Sequence, residues 1–129
     1  MEKTILVDAI NTFVISGEGI FDPMYSLLES YPHKKIILTN ADDEQMKKYG
    51  LDSMPYEIFS LKHNPDKINP EYYHTMLNKF GFAIRDVVYF EHNKDAVASA
   101  KLVWITTFHY DKNTKDLLSL KRFLDEHLL

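Results

Sequence analysis

The sequence contains no cysteine. That excludes disulfides, thiolate metal sites and a thiol nucleophile, and it fits a reducing compartment such as the cytoplasm. No apolar run approaches the roughly 20 residues of a membrane span. The first apolar run is too short for a secretory leader, because Asp8 interrupts it. Strong charge is also missing: a formal net charge of -4 offers no basic surface to nucleic acid. Repeats, low-complexity tracts and linkers are absent. What is present is a chain of 129 residues, 45% hydrophobic, which suits one globular domain over residues 1–129. The expectation is a cytoplasmic protein with no membrane and no nucleic-acid partner.

The stretch over residues 4–13 organises the rest. Ile5, Leu6 and Val7 form an uncharged, partly β-branched run that ends on Asp8. Such a run reads as a strand buried on both faces, and its carboxyl end is where open α/β sheets bind ligands. Asn11 and Thr12 add a turn and polar groups beside that carboxylate. A loop over residues 16–19 follows, and Asp22 with Pro23 starts a helix with Met24, Leu27, Leu28 and Tyr31 on its buried face. Ile36, Ile37 and Leu38 make a second strand closing on Thr39 and Asn40. Asp42, Asp43 and Glu44 suit a helix start, and Gly50 its end. Residues 56–61 read as a third strand. Asn69 and Pro70 open a helix carrying Tyr73, Met76, Leu77 and Phe80, closed by Gly81.

A fourth strand over residues 87–90 closes on Glu91. A helix over residues 94–101 follows, then a fifth strand over 103–107. A last helix, capped by Asn113 or Thr114, carries Leu117, Leu120, Leu124 and Leu128. Alternating strands and helices mean a three-layer, Rossmann-like α/β domain: a five-stranded parallel sheet with helices on both faces. Its strand ends share one edge, so Asp8, Thr39, Lys67 and Glu91 can meet in one crevice.

These residues, in this order, resemble the haloacid dehalogenase-like (HAD) hydrolase superfamily. The first motif of that family is an aspartate nucleophile followed two residues later by a second aspartate; here it reads Asp8, Ala9, Ile10, Asn11, Thr12. Thr39 matches the second motif and Lys67, before Asn69 and Pro70, the third. Glu91 and Asp95, four apart, match the acidic pair of the fourth. The stretches between motifs leave no room for a cap domain. The resemblance implies Asp8 as nucleophile, Thr39 and the Asn40 amide as phosphate holders, and Lys67 as the balancing charge. It also implies Mg²⁺ held by Asp8, the Ile10 carbonyl and Glu91, with Asp95 linked less directly. The substrate would be a phosphorylated small molecule or macromolecule.

Two departures bear on activity. Ile10 stands where the family carries its acid–base aspartate, and a lost general acid–base group typically costs on the order of 10²–10⁴ in rate. Glu91 is one methylene longer than the usual aspartate. The expected function is therefore weak or specialised phosphoryl hydrolysis; the alternative is an inactive member that binds a phosphorylated ligand or a protein partner. A dehalogenase fits less well, since those relatives bind substrate under a cap. A receiver domain is set aside, because its acceptor aspartate ends strand three. His92 reads first as a surface-loop histidine, with a place beside the site as the alternative. His63 and Asn64 lie on a loop before Lys67, and Tyr72 and Tyr73 read as core.

Overall fold

The structure, a computed structural model, describes residues 2–128. Five parallel strands form one sheet in the order β5-β4-β1-β6-β7. These are β1 (Thr4–Asp8), β4 (Lys35–Thr39), β5 (Glu57–Ser60), β6 (Val87–Glu91) and β7 (Thr106–His109). The three central strands carry the apolar runs, and every residue in them is buried. Central position in a parallel sheet demands this, because both faces are covered. Register places Val7 beside Ile37 on one side and Phe90 on the other.

Side chains alternate between the two faces. Ile5, Val7, Ile37, Val88 and Phe90 point to one core, with Met24 and Leu28 of α1 (Asp22–Glu29) and Leu120 and Leu124 of α5 (Leu117–Leu128). Leu6, Ile36, Leu38 and Tyr89 point to the other. There they meet Tyr72, Tyr73, Met76 and Leu77 of α3 (Glu71–Phe80) and Ala100 of α4 (Lys94–Leu102). Fully burying one such side chain contributes about 1.5–3 kcal/mol. α2 (Asp43–Lys48) carries no buried residue. It is held at its start by a reciprocal cap: Gln45 N donates to Asp42 Oδ1 at 2.9 Å, and Asp42 N donates to Gln45 Oε1 at 3.0 Å.

Several boundaries differ from the sequence expectation. The loop after β1 contains a small antiparallel hairpin, β2 (Val14–Ile15) with β3 (Gly19–Ile20). Asp22 is the first residue of α1 rather than its cap, which is Phe21. The fifth sheet strand starts later than residue 103, because Val103 caps α4. Trp104 then turns the chain with φ 69° and stands 81% exposed. α5 is preceded not by an Asn113 or Thr114 cap but by Asp116, whose Oδ1 accepts from Ser119 N at 3.0 Å. Among the described residues no helix is long and apolar enough to cross a membrane.

Candidate functional site

The carboxyl ends of β1, β4 and β6 and the loop before α3 enclose a cleft of about 210 Å³. Asp8, Ile10, Thr39, Asn40, Lys67, Glu91 and His92 line it, as the strand ends predict. Just past Asp8, Phe13 N and Val14 N both donate to Ala9 O, so the chain coils into one tight turn. Asn11 permits the coil by adopting φ 71°, a conformation asparagine tolerates. The coil returns Thr12 to the strand end, where its Oγ1 donates to Asp8 Oδ2 at 2.6 Å.

Lys67 lies at the centre. Its Nζ donates to Asp8 Oδ1 at 2.7 Å, to Glu91 Oε1 at 2.6 Å and to Leu38 O at 3.1 Å. Asn40 holds that loop in place, its Oδ1 accepting from Lys67 N at 2.7 Å. On the same wall Thr39 Oγ1 accepts from Ala41 N at 3.2 Å, which leaves the hydroxyl hydrogen to donate. His92 supplies the other side. Its backbone N donates to Asp8 Oδ2 at 3.2 Å, and its ring Nδ1 stands 2.5 Å from that oxygen and 3.3 Å from Glu91 Oε2. Glu91 Oε1 also accepts from the Tyr89 hydroxyl, and Oε2 accepts from Asn93 N at 3.0 Å.

The two carboxylates divide their charge unequally. Burial would raise Asp8, but the Lys67 ammonium and the hydrogen bond from His92 hold it well below the usual carboxylate range. Burial pushes Glu91 up to about 7, with the charge of Asp8 adding to it and Lys67 opposing. Burial also works against charge on Lys67 and His92, and in both cases the neighbouring carboxylates outweigh it and raise the group. The same cleft thus lowers Asp8 and raises Glu91.

Asp8, Thr39, Asn40, Lys67 and Glu91 thus come together as the sequence suggests, and Ile10 lines the same cleft. Asp95 does not join them. Asn93 Oδ1 accepts from Asp95 N and Ala96 N, capping α4, and Asp95 is exposed in the first turn outside the cleft. His92, whose sequence reads first as a surface-loop residue and second as a neighbour of the site, takes the second place, in direct contact with Asp8. From sequence Tyr89 reads only as part of the fourth buried strand, yet its hydroxyl reaches Glu91. The available signal was its position two residues before Glu91, which puts both side chains on one face of β6.

A Mg²⁺ ion needs oxygen ligands at about 2.0–2.1 Å in an octahedron and gives up water reluctantly. Here each oxygen of Asp8 and Glu91 already accepts from a protein donor, and the His92 ring stands between Oδ2 and Oε2. As arranged, this donor set does not fit that ion.

No family model matches the sequence, and a search of curated proteins finds no match either. Among solved structures, the core domain of a candidate phosphoglycolate phosphatase from Streptococcus pneumoniae TIGR4 is similar, with TM-score 0.62. The two share 17% identity, and the likeness covers 97% of each chain. The likeness shows the fold alone, a five-stranded parallel sheet between helices, as the alternation of strands and helices in the sequence predicts.

Proposed function

We propose that the chain, on its capless HAD-like fold, hydrolyses activated phosphoryl groups with Asp8 as nucleophile. The observation that carries this reading is Lys67 Nζ at 2.7 Å from Asp8 Oδ1, in a cleft whose facing wall offers Thr39 and Asn40. An ionised carboxylate beside a fixed ammonium is a nucleophile whose charge is balanced as an anionic phosphoryl group arrives. Thr39 donates its hydroxyl hydrogen and Asn40 its backbone amide to phosphoryl oxygens. Asp8 forms a bond to phosphorus as the bond to the leaving oxygen breaks. Water then cleaves the aspartyl-phosphate, releasing inorganic phosphate and returning the carboxylate.

Ile10 supplies no proton to the leaving oxygen, so the substrate must leave as a stable anion, as the carboxylate of an acyl phosphate does. The open cleft accepts a phosphorylated small molecule or a group on a macromolecule. Mg²⁺ is the ion that the sequence resemblance implies, whereas the carboxylates as arranged do not fit it, so the assay runs with Mg²⁺ and with chelator. Acetyl phosphate is hydrolysed and an alkyl phosphomonoester barely. Asp8→Asn loses the activity, and Ile10→Asp raises the alkyl rate by at most about 10²–10⁴. Wild type that ignores acetyl phosphate in both conditions defeats this reading. The apolar side chain at Ile10 then favours the second one, a non-catalytic protein that binds a phosphorylated ligand or a protein partner.

A further inference from the structure

We propose that Lys67 and His92 together take the place of a divalent cation, so that the paired carboxylates of this cleft are complete without a metal. The bridges are two. Lys67 Nζ joins Asp8 Oδ1 to Glu91 Oε1, at 2.7 and 2.6 Å. His92 Nδ1 joins the remaining oxygens, at 2.5 Å from Asp8 Oδ2 and 3.3 Å from Glu91 Oε2. One ammonium and one ring nitrogen thus span the same two carboxylates that a single ion would otherwise hold.

The rest of the segment fixes this arrangement. Glu91, His92 and Asn93 are consecutive, and the backbone N–H groups of the last two donate to Asp8 Oδ2 and Glu91 Oε2. Those donors belong to the main chain and hold each carboxylate in this orientation. His109, at the end of β7, grips the turn from behind, its Nε2 2.9 Å from His92 O. Tyr89 holds Glu91 from the side of the core. An entering Mg²⁺ would displace the His92 ring, compete with backbone donors and shed water, and it would gain no third acid, since Asp95 is exposed outside the cleft. The extra methylene of Glu91 belongs to the same design. It lets one carboxylate reach the Tyr89 hydroxyl, Lys67 and Asn93 N together.

This inference concerns the same cleft as the proposed hydrolysis but is read without substrate, so the failure of either is seen separately. The full chain, stripped with chelator, is titrated with Mg²⁺ by calorimetry and melted with and without millimolar Mg²⁺. Wild type is expected to give no saturable heat and no rise in Tm. His92→Gly, which removes the ring, is expected to gain both. Wild-type heat that Asp8→Asn abolishes overturns the proposal; heat that survives Asp8→Asn arises outside the cleft and leaves the expected result standing. A folded His92→Gly that ignores Mg²⁺ also overturns it, because the ring would then not be the stand-in. If glycine prevents folding, His92→Asn, which keeps a small polar side chain, is read by the same two outcomes.

Discussion

The β4 wall of the cleft and its β6 wall are built from the same kind of buried strand end, yet they use their polar groups differently. On the β4 wall, Thr39 Oγ1 accepts from Ala41 N and Asn40 Oδ1 from Lys67 N, so side-chain oxygens serve as scaffold while donor hydrogens remain for a ligand. On the β6 wall, both oxygens of Glu91 are taken by Lys67, Tyr89 and Asn93, and the His92 ring is turned onto Asp8. One wall is open toward a ligand and the other is closed on itself. The difference separates two roles that a phosphoryl site usually merges: holding the anion and neutralising the acids beneath it.

The largest expected effect comes from the residue that joins the walls. Lys67→Met leaves two buried carboxylates facing each other with one bridge gone, and stability should fall by about 3–5 kcal/mol in urea unfolding. Adding Glu91→Gln should recover part of that loss, since only one acid then needs a partner. A cost under about 1 kcal/mol would break the comparison, because Lys67 would then behave as a surface charge.

The next effect is the pH profile of the closed wall. Glu91 has its ordinary value at 4.5 and is pushed up to about 7 in the folded chain, so the fold binds its proton more tightly than the unfolded chain does. That stabilisation is fully present below 4.5 and is lost as the pH rises through about 7. His92, also raised, acts in the same direction: its contribution is present below its ordinary value of 6.5 and fades as the pH passes its higher folded value. The depressed Asp8 opposes this only in acid, below its ordinary 3.8. Thermal melts should therefore show Tm falling between about pH 5 and 8, for a loss on the order of 1–3 kcal/mol. Glu91→Gln should flatten the profile, while Thr39→Val on the open wall should leave its slope unchanged.

How far the sequence anticipates these walls follows from what each residue depends on. The strand ends at Asp8, Thr39 and Glu91 were legible because uninterrupted apolar runs mark buried parallel strands, and Lys67 because it lies on the loop after the third strand in a setting that resembles the third HAD motif. The β2–β3 hairpin was not legible, since strands of two residues carry no periodicity. Val103 and Ile105 look like strand residues and predict a fifth strand from residue 103, whereas α4 runs through Leu102 and the chain turns at Trp104. The place of His92 depends on how β6 ends. Only the fold shows that the residue after Glu91 turns toward β1 rather than toward solvent. Asp95 misled in the opposite sense: a spacing of four from Glu91 looks like a pair, but the Asn93 cap starts a helix that faces it outward.

The smallest expected effect tests that last point. Asp95→Asn removes a charge from the first turn of α4, where an acid contributes a few tenths of a kcal/mol at most on an exposed site. Urea unfolding should change by about 0.5 kcal/mol or less, and acetyl phosphate hydrolysis should be unaffected. A large loss of hydrolysis would place Asp95 in the working site and show the β6 wall to be open.

The turn at Trp104 has a practical consequence of another kind. This is the one tryptophan of the chain, and it stands 81% exposed where the chain enters β7, at the amino end of the sheet and away from the cleft. Its fluorescence is that of an indole already in water, so the emission colour shifts little when the protein unfolds. The interior has its own chromophores: Tyr72, Tyr73 and Tyr89 sit ring against ring, with centroids 5.2 and 5.7 Å apart, behind Lys67 and Glu91. Near-ultraviolet circular dichroism of those tyrosines therefore reports the cleft, while tryptophan emission reports only the far turn, and the two signals can be read independently in one sample.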